Sequence, residues 1–471
     1  MRTNSRNNTS SRQRITRRNI LLSGAAAAAL SGASAEEAPP GGEAASGTPP
    51  VPWAEATQAE YPPGEPGKDY NPVFTPNGST APYKIRDGVK VFHLVAEPIV
   101  HTPVEGLTIR TWGFNGGTPG PTIEVVQGDR VRIYVTNKLP AETTVHWHGI
   151  LLPCGMDGVA GLTQPVIRPG ETYRYDFIFS EHGTFMYHPH FDGMTQEGMG
   201  LTGMIVVHPR SRDIPRPDRD FAIMLHEWFI EGGTARPNAL EMTDFNILTM
   251  NGAAFPDTHP LVAELGDRVR IRIGNLSAMD HHPIHLHGYY FKIVETDGGP
   301  IPPGAQWPET TVLVHVGSAR AIELTADNPG DWLMHCHMTH HTMNQMGHNS
   351  PNMVGVEVGE LEQRIKKLLP DYMTMGTRGM RPLQEMNMPV PDNSVPMLGF
   401  KGQFGQTVLG SMVTVLKVRE TWPHYSDPGP YVFPSGSVAC TATERELRSD
   451  GITVDWTDFE PASASGRQDM G

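Results

Sequence analysis

Cysteine is scarce, three in 471 residues, too few for a disulfide framework. Long apolar runs are missing as well. The one that stands out is Ala-rich, follows Thr16-Arg17-Arg18-Asn19-Ile20-Leu21-Leu22, and is too short and too small in side chain to span a bilayer. Hydrophobic residues reach only 38% and aromatics 8%. Basic charge is also short. Six Arg and no acid fall in the first 35 residues, leaving 31 basic against 51 acidic residues in the remainder. A surface so acidic repels phosphate backbones and anionic lipid, which argues against nucleic-acid binding and membrane-surface work.

What is abundant points elsewhere. Gly 50 and Pro 43 mark a turn-rich, strand-dominated chain with room for two or three domains. The twin arginines, the apolar run and Ala33-Ser34-Ala35 predict a twin-arginine export signal over 1–35, and hence a periplasmic or secreted protein without a membrane span. Residues 36–85 read as a Pro/Gly-rich linker or arm. From about Val91, short runs such as Val131-Arg132-Ile133-Tyr134-Val135 and Val269-Arg270-Ile271-Arg272-Ile273 alternate with turn residues. Period-two alternation with regular turns predicts β-sandwiches.

The chain also repeats itself. Gly128-Asp129-Arg130-Val131-Arg132-Ile133 recurs 138 residues later as Gly266-Asp267-Arg268-Val269-Arg270-Ile271. His146-Trp147-His148-Gly149 answers His285-Leu286-His287-Gly288, and His188-Pro189-His190 answers His335-Cys336-His337. One sandwich has been duplicated together with its histidines. On a strand, residues i and i+2 face one side, so each His-x-His pair aims two imidazoles at one place. Eight such imidazoles suit a cluster of metal ions, and packing alone does not ask for the same doublet four times. Isolated histidines such as His93, His208, His226, His259 and His424 read as ordinary core or surface residues.

The second copy holds more. Cys336 points away from His335 and His337; His341 follows at Cys+5, Met346 at Cys+10, and His282 precedes the His285/His287 pair. A thiolate, two imidazoles and a weak thioether make a blue-copper set. The strand's own backbone would then join that copper to the imidazoles behind it. In the first copy the corresponding positions are Pro189, Met194, Met199 and Thr143, which cannot hold a blue copper.

With these residues in view, the chain resembles the laccase-like multicopper oxidases, in their bacterial two-domain form, over roughly residues 90–355. The resemblance implies an all-β fold of two tandem cupredoxin-like Greek-key β-sandwiches, 86–210 and 215–360, the second carrying the type 1 copper. An irregular, Met-rich C-terminal extension over 361–471 would follow. It implies four copper ions per functional unit: type 1 on His282, Cys336 and His341 with axial Met346; type 2 on His146 and His285; one type 3 on His148, His188 and His337, the other on His190, His287 and His335. About 90 residues separate His190 from His282, too few for a middle domain. Each unit then supplies half of the trinuclear ligands, and the expected assembly is a homotrimer with these clusters between subunits.

The implied reaction is one-electron oxidation of a small phenolic or metal-ion reductant coupled to reduction of O2 to water. Oxygen reduction consumes protons, and Asp157, nine residues after His148, is the candidate relay; a turn Asp beside Gly158 is the plainer alternative. Met373, Met375, Met380, Met386, Met388 and Met397 lie among Pro and Gly, and soft thioethers select Cu(I), so a cuprous oxidase for copper tolerance is the alternative reading. Copper nitrite reductases share the architecture but carry the blue site in the first unit, and a copper-storage protein has no need of the Cys336 strand. Pairing of Cys154 with Cys440 stays open.

Overall fold

The computed structural model describes residues 61–231, 233–344, 352–354, 364, 367–368, 373–376, 392–395 and 400–455. The first sandwich comprises β1 (Tyr83–Arg86), β2 (Val89–Val104), β3 (Leu107–Phe114), β4 (Ile123–Val126), β5 (Arg130–Asn137), β6 (His146–His148), β7 (Thr172–Ile178), β8 (Gly183–His188) and β9 (Gly203–His208). One sheet runs β1-β2-β5-β7 with β3 on β2, the other β4-β9-β8-β6. The second comprises β10 (Arg219–Trp228), β11 (Ile247–Met250), β12 (Leu261–Glu264), β13 (Arg268–Asn275), β14 (His282–Leu286), β15 (Phe291–Thr296), β16 (Gly299–Pro300), β17 (Trp307–Glu309), β18 (Thr311–Val314), β19 (Ser318–Thr325) and β20 (Gly330–Cys336). Two short pairs, β21 (Asn352–Val354) with β22 (Met373–Gly376) and β23 (Lys401–Gly402) with β24 (Gly405–Gln406), precede β25 (Val413–Arg419).

The repeated motif builds the same corner twice. Gly128 and Gly266 take left-handed backbone, and the Asp that follows each accepts a backbone N–H three residues earlier, from Val126 and from Glu264. A cation holds each Asp, Lys90 at 2.8 Å from Asp129 and Arg219 at 2.9 Å from Asp267. Beyond the turn, Val131, Ile133 and Val135 face inward and Arg130, Arg132 and Tyr134 outward, as alternation requires. Asn137 and Asn275 end the two strands, and their side chains bond the loops that lead to His146 and His282.

Strand β25 changes the domain reading. Expected in the C-terminal extension, it lies between β12 and β20, parallel to the first and antiparallel to the second, as β9 lies between β4 and β8. Leu416 and Val418 enter the second core, where without them β12 and β20 would be left with open edges. The Met-rich segment is therefore an insertion between β20 and β25. Met373 and Met375 fall on β22; Met380, Met386, Met388 and Met397 lie outside the described residues.

The second half of the expected linker also packs. Val73 N–H donates to the Glu124 carboxylate at 3.0 Å, Asn71 Nδ2 to Pro217 O, and Phe74 stacks on Tyr425 at 4.5 Å. Tyr70 and Val73 are apolar enough to bury, and the extended backbone finds its partners on both sandwiches. Between the sandwiches, Arg272 binds Asp220 and Glu295 at 2.8 and 2.9 Å, while Thr184 of β8 donates to Glu295 at 2.7 Å. A buried network with every member bonded fixes one docking of β8 on β13 and β15. Among the described residues no helix is long and apolar enough to cross a membrane. The expected export signal lies outside them.

Three histidines without a metal role set a pH dependence. Burial lowers His101, pushes His226 down to about 4, and holds His208 well below the usual imidazole range. The unfolded chain takes protons on these groups below pH 6.5 and the folded chain does not, so stability present above that pH is lost as pH falls toward 4. Glu124 and Glu227, lifted by burial to about 7 and 8, oppose the trend down to pH 4.5, so the loss is steepest below it. Thermal midpoints of the metal-free protein from pH 7 to 4 test this; a flat profile below pH 4.5 contradicts it.

Candidate metal centre

Strand pairing places four imidazoles at one end of each sandwich. In the first, β6 pairs with β8 so that His146 lies opposite His188, and Trp147 between the two ligand-facing residues is buried in the core. His148 Nδ1 lies 3.2 Å from His188 Nε2, and the His190 ring is 5.6 Å from that of His146. In the second, β14 pairs with β20 so that His285 lies opposite His335, with Leu286 buried. His287 Nε2 lies 3.1 Å from His335 Nε2, and the His337 ring is 5.5 Å from those of both His285 and His335. The eight repeated histidines thus fall into two quartets.

Backbone carbonyls set the tautomers of four of them. Nδ1–H donates to Asp157 O from His146, to Pro189 O from His188, to Thr310 O from His285 and to Cys336 O from His335, at 2.7 to 2.9 Å. Each Nε2 is left with a free lone pair, the arrangement that metal-binding histidines use. Burial pushes His148 down to about 4 and lowers His146, His287 and His335, so these rings are neutral and able to coordinate at ordinary pH.

Cys336 points the other way. Its Sγ lies 3.8 Å from His282 Nδ1 and 3.5 Å from His341 Nδ1, and the two nitrogens are 3.3 Å apart. One point about 2 Å from all three atoms exists inside that triangle, the bond length of a transition metal with imidazole and thiolate. Soft sulfur and two imidazoles in a nearly dry pocket fit copper. Burial drives Cys336 up to about 12 and His282 down to about 3, so a metal entering here displaces a thiol proton and meets no imidazolium. His282 Nε2–H donates to Ser277 Oγ at 2.7 Å, and His341 Nε2 lies 3.6 Å from Asp280. Met346 lies outside the described residues.

At the corresponding place in the first sandwich, Thr143 Oγ donates to Gln196 Oε1 at 2.6 Å, and the Gln196 amide donates to Glu142 O. A neutral hydrogen-bonded pair occupies the space. Asp157 lies against His146: its carbonyl accepts from His146 Nδ1–H and its carboxylate is 3.4 Å from the same Nδ1. Gly158, at positive φ, allows this approach, since a Cβ there would strike Val145 O. Cys154 and Cys440 are both free and exposed.

Sequence reasoning missed Ser277, Asp280, Glu227 and Glu197. Glu197 sits 3.1 Å from His188 Nδ1, and the buried Glu227 accepts the Met279 and Asp280 N–H groups beside His282. Asp280, two residues before His282, and Glu197, on the short helix after His188, could have been suspected from proximity; Glu227 comes from another strand and gave no local sign.

The chain is similar to several known proteins. Two family models, each described as multicopper oxidase, match residues 97–212 and 233–354. Copper resistance protein A of Escherichia coli is 38% identical over 161 residues, 33% of this chain and 26% of its own. Laccase-1 of Botryotinia fuckeliana is 33% identical over 239 residues, 47% of this chain and 40% of its own. The chain thus spans well under half the length of either. Among solved structures, the blue copper oxidase of Nitrosomonas europaea aligns with a TM-score of 0.51 at 27% identity, over 70% of this chain and 85% of that one. The multicopper oxidase mgLAC aligns with 0.50 at 26%, over 74% and 91%.

Proposed function

This chain belongs to the multicopper oxidase family, and on that premise we propose that it is a laccase-type oxidase. Bound copper would supply the redox chemistry, taking single electrons from a phenolic or metal-ion reductant and delivering four of them to O2 to give two waters. The observation that carries this reading is the strand Gly330–Cys336 with His337: sulfur at 336 faces His282 and His341, while the imidazoles on either side of it face His285 and His287. Two peptide units connect the two sets of ligands. His337 N–H donates to Pro283 O at 2.7 Å, which ties this strand end to the strand bearing His282 and His285.

In this reading His282, Cys336 and His341 hold the type 1 ion, with Met346 as axial ligand. His146 and His285 hold type 2; His148, His188 and His337 hold one type 3, and His190, His287 and His335 the other. Each quartet makes its ring contacts within itself, so neither alone gathers all eight imidazoles. A head-to-tail homotrimer would bring the first quartet of one chain against the second of the next. The twin arginines of 1–35 support export as the route to the compartment where it works.

Asp157 then delivers protons toward the cluster from its place beside His146. Asp157→Asn should slow turnover about a hundredfold, within the usual range for a lost acid–base group, and leave the blue absorption intact, because Asp157 is remote in the chain from Cys336. Unchanged kinetics remove it from the reaction. Cuprous oxidation is the second reading, favoured by the exposed thioethers of Met279 and Met338 next to the copper-facing His282 and Cys336 and by the similarity to copper resistance protein A. Oxygen uptake against a phenolic dye and against Cu(I) tests both. Uptake with neither ends the oxidase proposal, and a faster rate with Cu(I) selects the second reading.

A further inference from the structure

Beyond Ala96, strand β2 leaves β5 and pairs with β3 alone. The register sets Pro98 opposite Trp112 and Val100 opposite Arg110, so these four side chains share one face of the ribbon. On the other edge of β3 the Arg110 N–H donates to Ala235 O at 2.6 Å, which brings Arg236 alongside. The Trp112 N–H donates to Met199 O at 3.0 Å, and the Thr111 hydroxyl bonds the same oxygen, which closes the floor. An open cleft of about 590 Å³ results, within the ~300–1,000 Å³ of small-molecule sites.

Its walls are of two kinds. Val100, Trp112, Pro140 and Met199 give apolar surface, and Val100 stands 71% exposed in water. Among the described residues, the only charged groups lining the cleft are Arg110 and Arg236, both exposed and neither held by an acid or by a side-chain hydrogen bond. The arginines of the repeated motif are treated differently: Asp176 holds Arg130 and Arg132, and Glu323 holds Arg268 and Arg270. Two cations gathered without an anion repel each other, and in a chain with 51 acidic against 37 basic residues this cleft reverses the prevailing sign of the surface.

We propose that the cleft binds a small organic anion with a flat apolar body, an aryl carboxylate or sulfonate. A planar guanidinium meets the oxygens of such a group through two parallel N–H bonds, and it is weakly hydrated, so it sheds water at little cost. Val100 and the Trp112 edge then take the apolar body out of water. An inorganic anion brings the charge without the body, and a neutral arene brings the body without the charge. The cleft recognises both together. No residue that lines it belongs to either histidine quartet or to the triangle around Cys336, so the proposal stands apart from the copper chemistry.

Calorimetric titration of the full-length copper-loaded protein with naphthoate, with acetate and with naphthylmethanol tests this. Naphthoate should saturate at one molecule per chain, and acetate and the alcohol should each bind at least about tenfold more weakly. Arg110→Gln and Arg236→Gln should each lower naphthoate affinity by about tenfold, the size of one lost charge-assisted bond. Added salt should weaken binding to the parent protein and have less effect on the double variant. Val100→Asp, at an exposed position, should weaken binding by setting an acid inside the cleft. Thermal midpoints equal to the parent's show that these surface variants are folded. Three results overturn the site: naphthoate does not bind saturably, the neutral alcohol binds as tightly, or naphthoate binds Arg110→Gln/Arg236→Gln as it binds the parent, which places the ligand elsewhere.

Discussion

Replacing Cys336 by Ser removes the intense visible band and lowers oxidase turnover by roughly a thousandfold or more, beyond the 10–100-fold typical of losing an outer partner of a ligand. A hydroxyl in that buried triangle stays protonated and is a poor partner for a soft ion, and two imidazoles alone leave the site open to water. The fold should survive, since Ser occupies nearly the same volume and the β20 ladder to β14 and β25 uses only backbone. Visible spectroscopy after full copper loading, with oxygen uptake on the same sample, checks both halves. Normal colour or normal turnover in Cys336→Ser refutes the relay from sulfur to the flanking imidazoles.

The second large effect comes from mixing inactive chains. His188→Ala breaks the first quartet and leaves the second; His287→Ala does the reverse. Each variant alone should lose oxygen reduction while keeping its blue site, because neither residue touches Cys336. Co-expressed in equal amounts, they should recover about one quarter of normal activity, since random assembly of a head-to-tail ring joins an intact first quartet to an intact second quartet at one interface in four on average. Complementation is decisive because it separates two geometries that single substitutions cannot. If the mixture stays as inactive as its parents, the two quartets meet within one chain and the shared-cluster assembly is wrong.

Much of the candidate metal centre was legible in the sequence, and the reason is local. Strand geometry turns every second side chain the same way, so His146 with His148 and His285 with His287 were bound to share a face, and Cys336 was bound to oppose its neighbours. The duplicated Gly-Asp corners are equally local, since the glycine's left-handed backbone and the Asp bond span three residues. These properties need no knowledge of what the rest of the chain does.

The cross-strand register of His146 with His188, the lock of His146 on Asp157 O, and the Ser277 bond to His282 each depend on where a separate segment comes to rest. The same is true of β25, whose place between β12 and β20 turned an expected appendage into part of the second core, and of the packed stretch around Tyr70 and Phe74. Periodicity in the sequence decided which residues face together and which chemistry they can perform. Only the tertiary structure decided which strands are neighbours, because pairing between distant strands is selected by the burial of whole faces, a sum over residues that no short window of sequence contains.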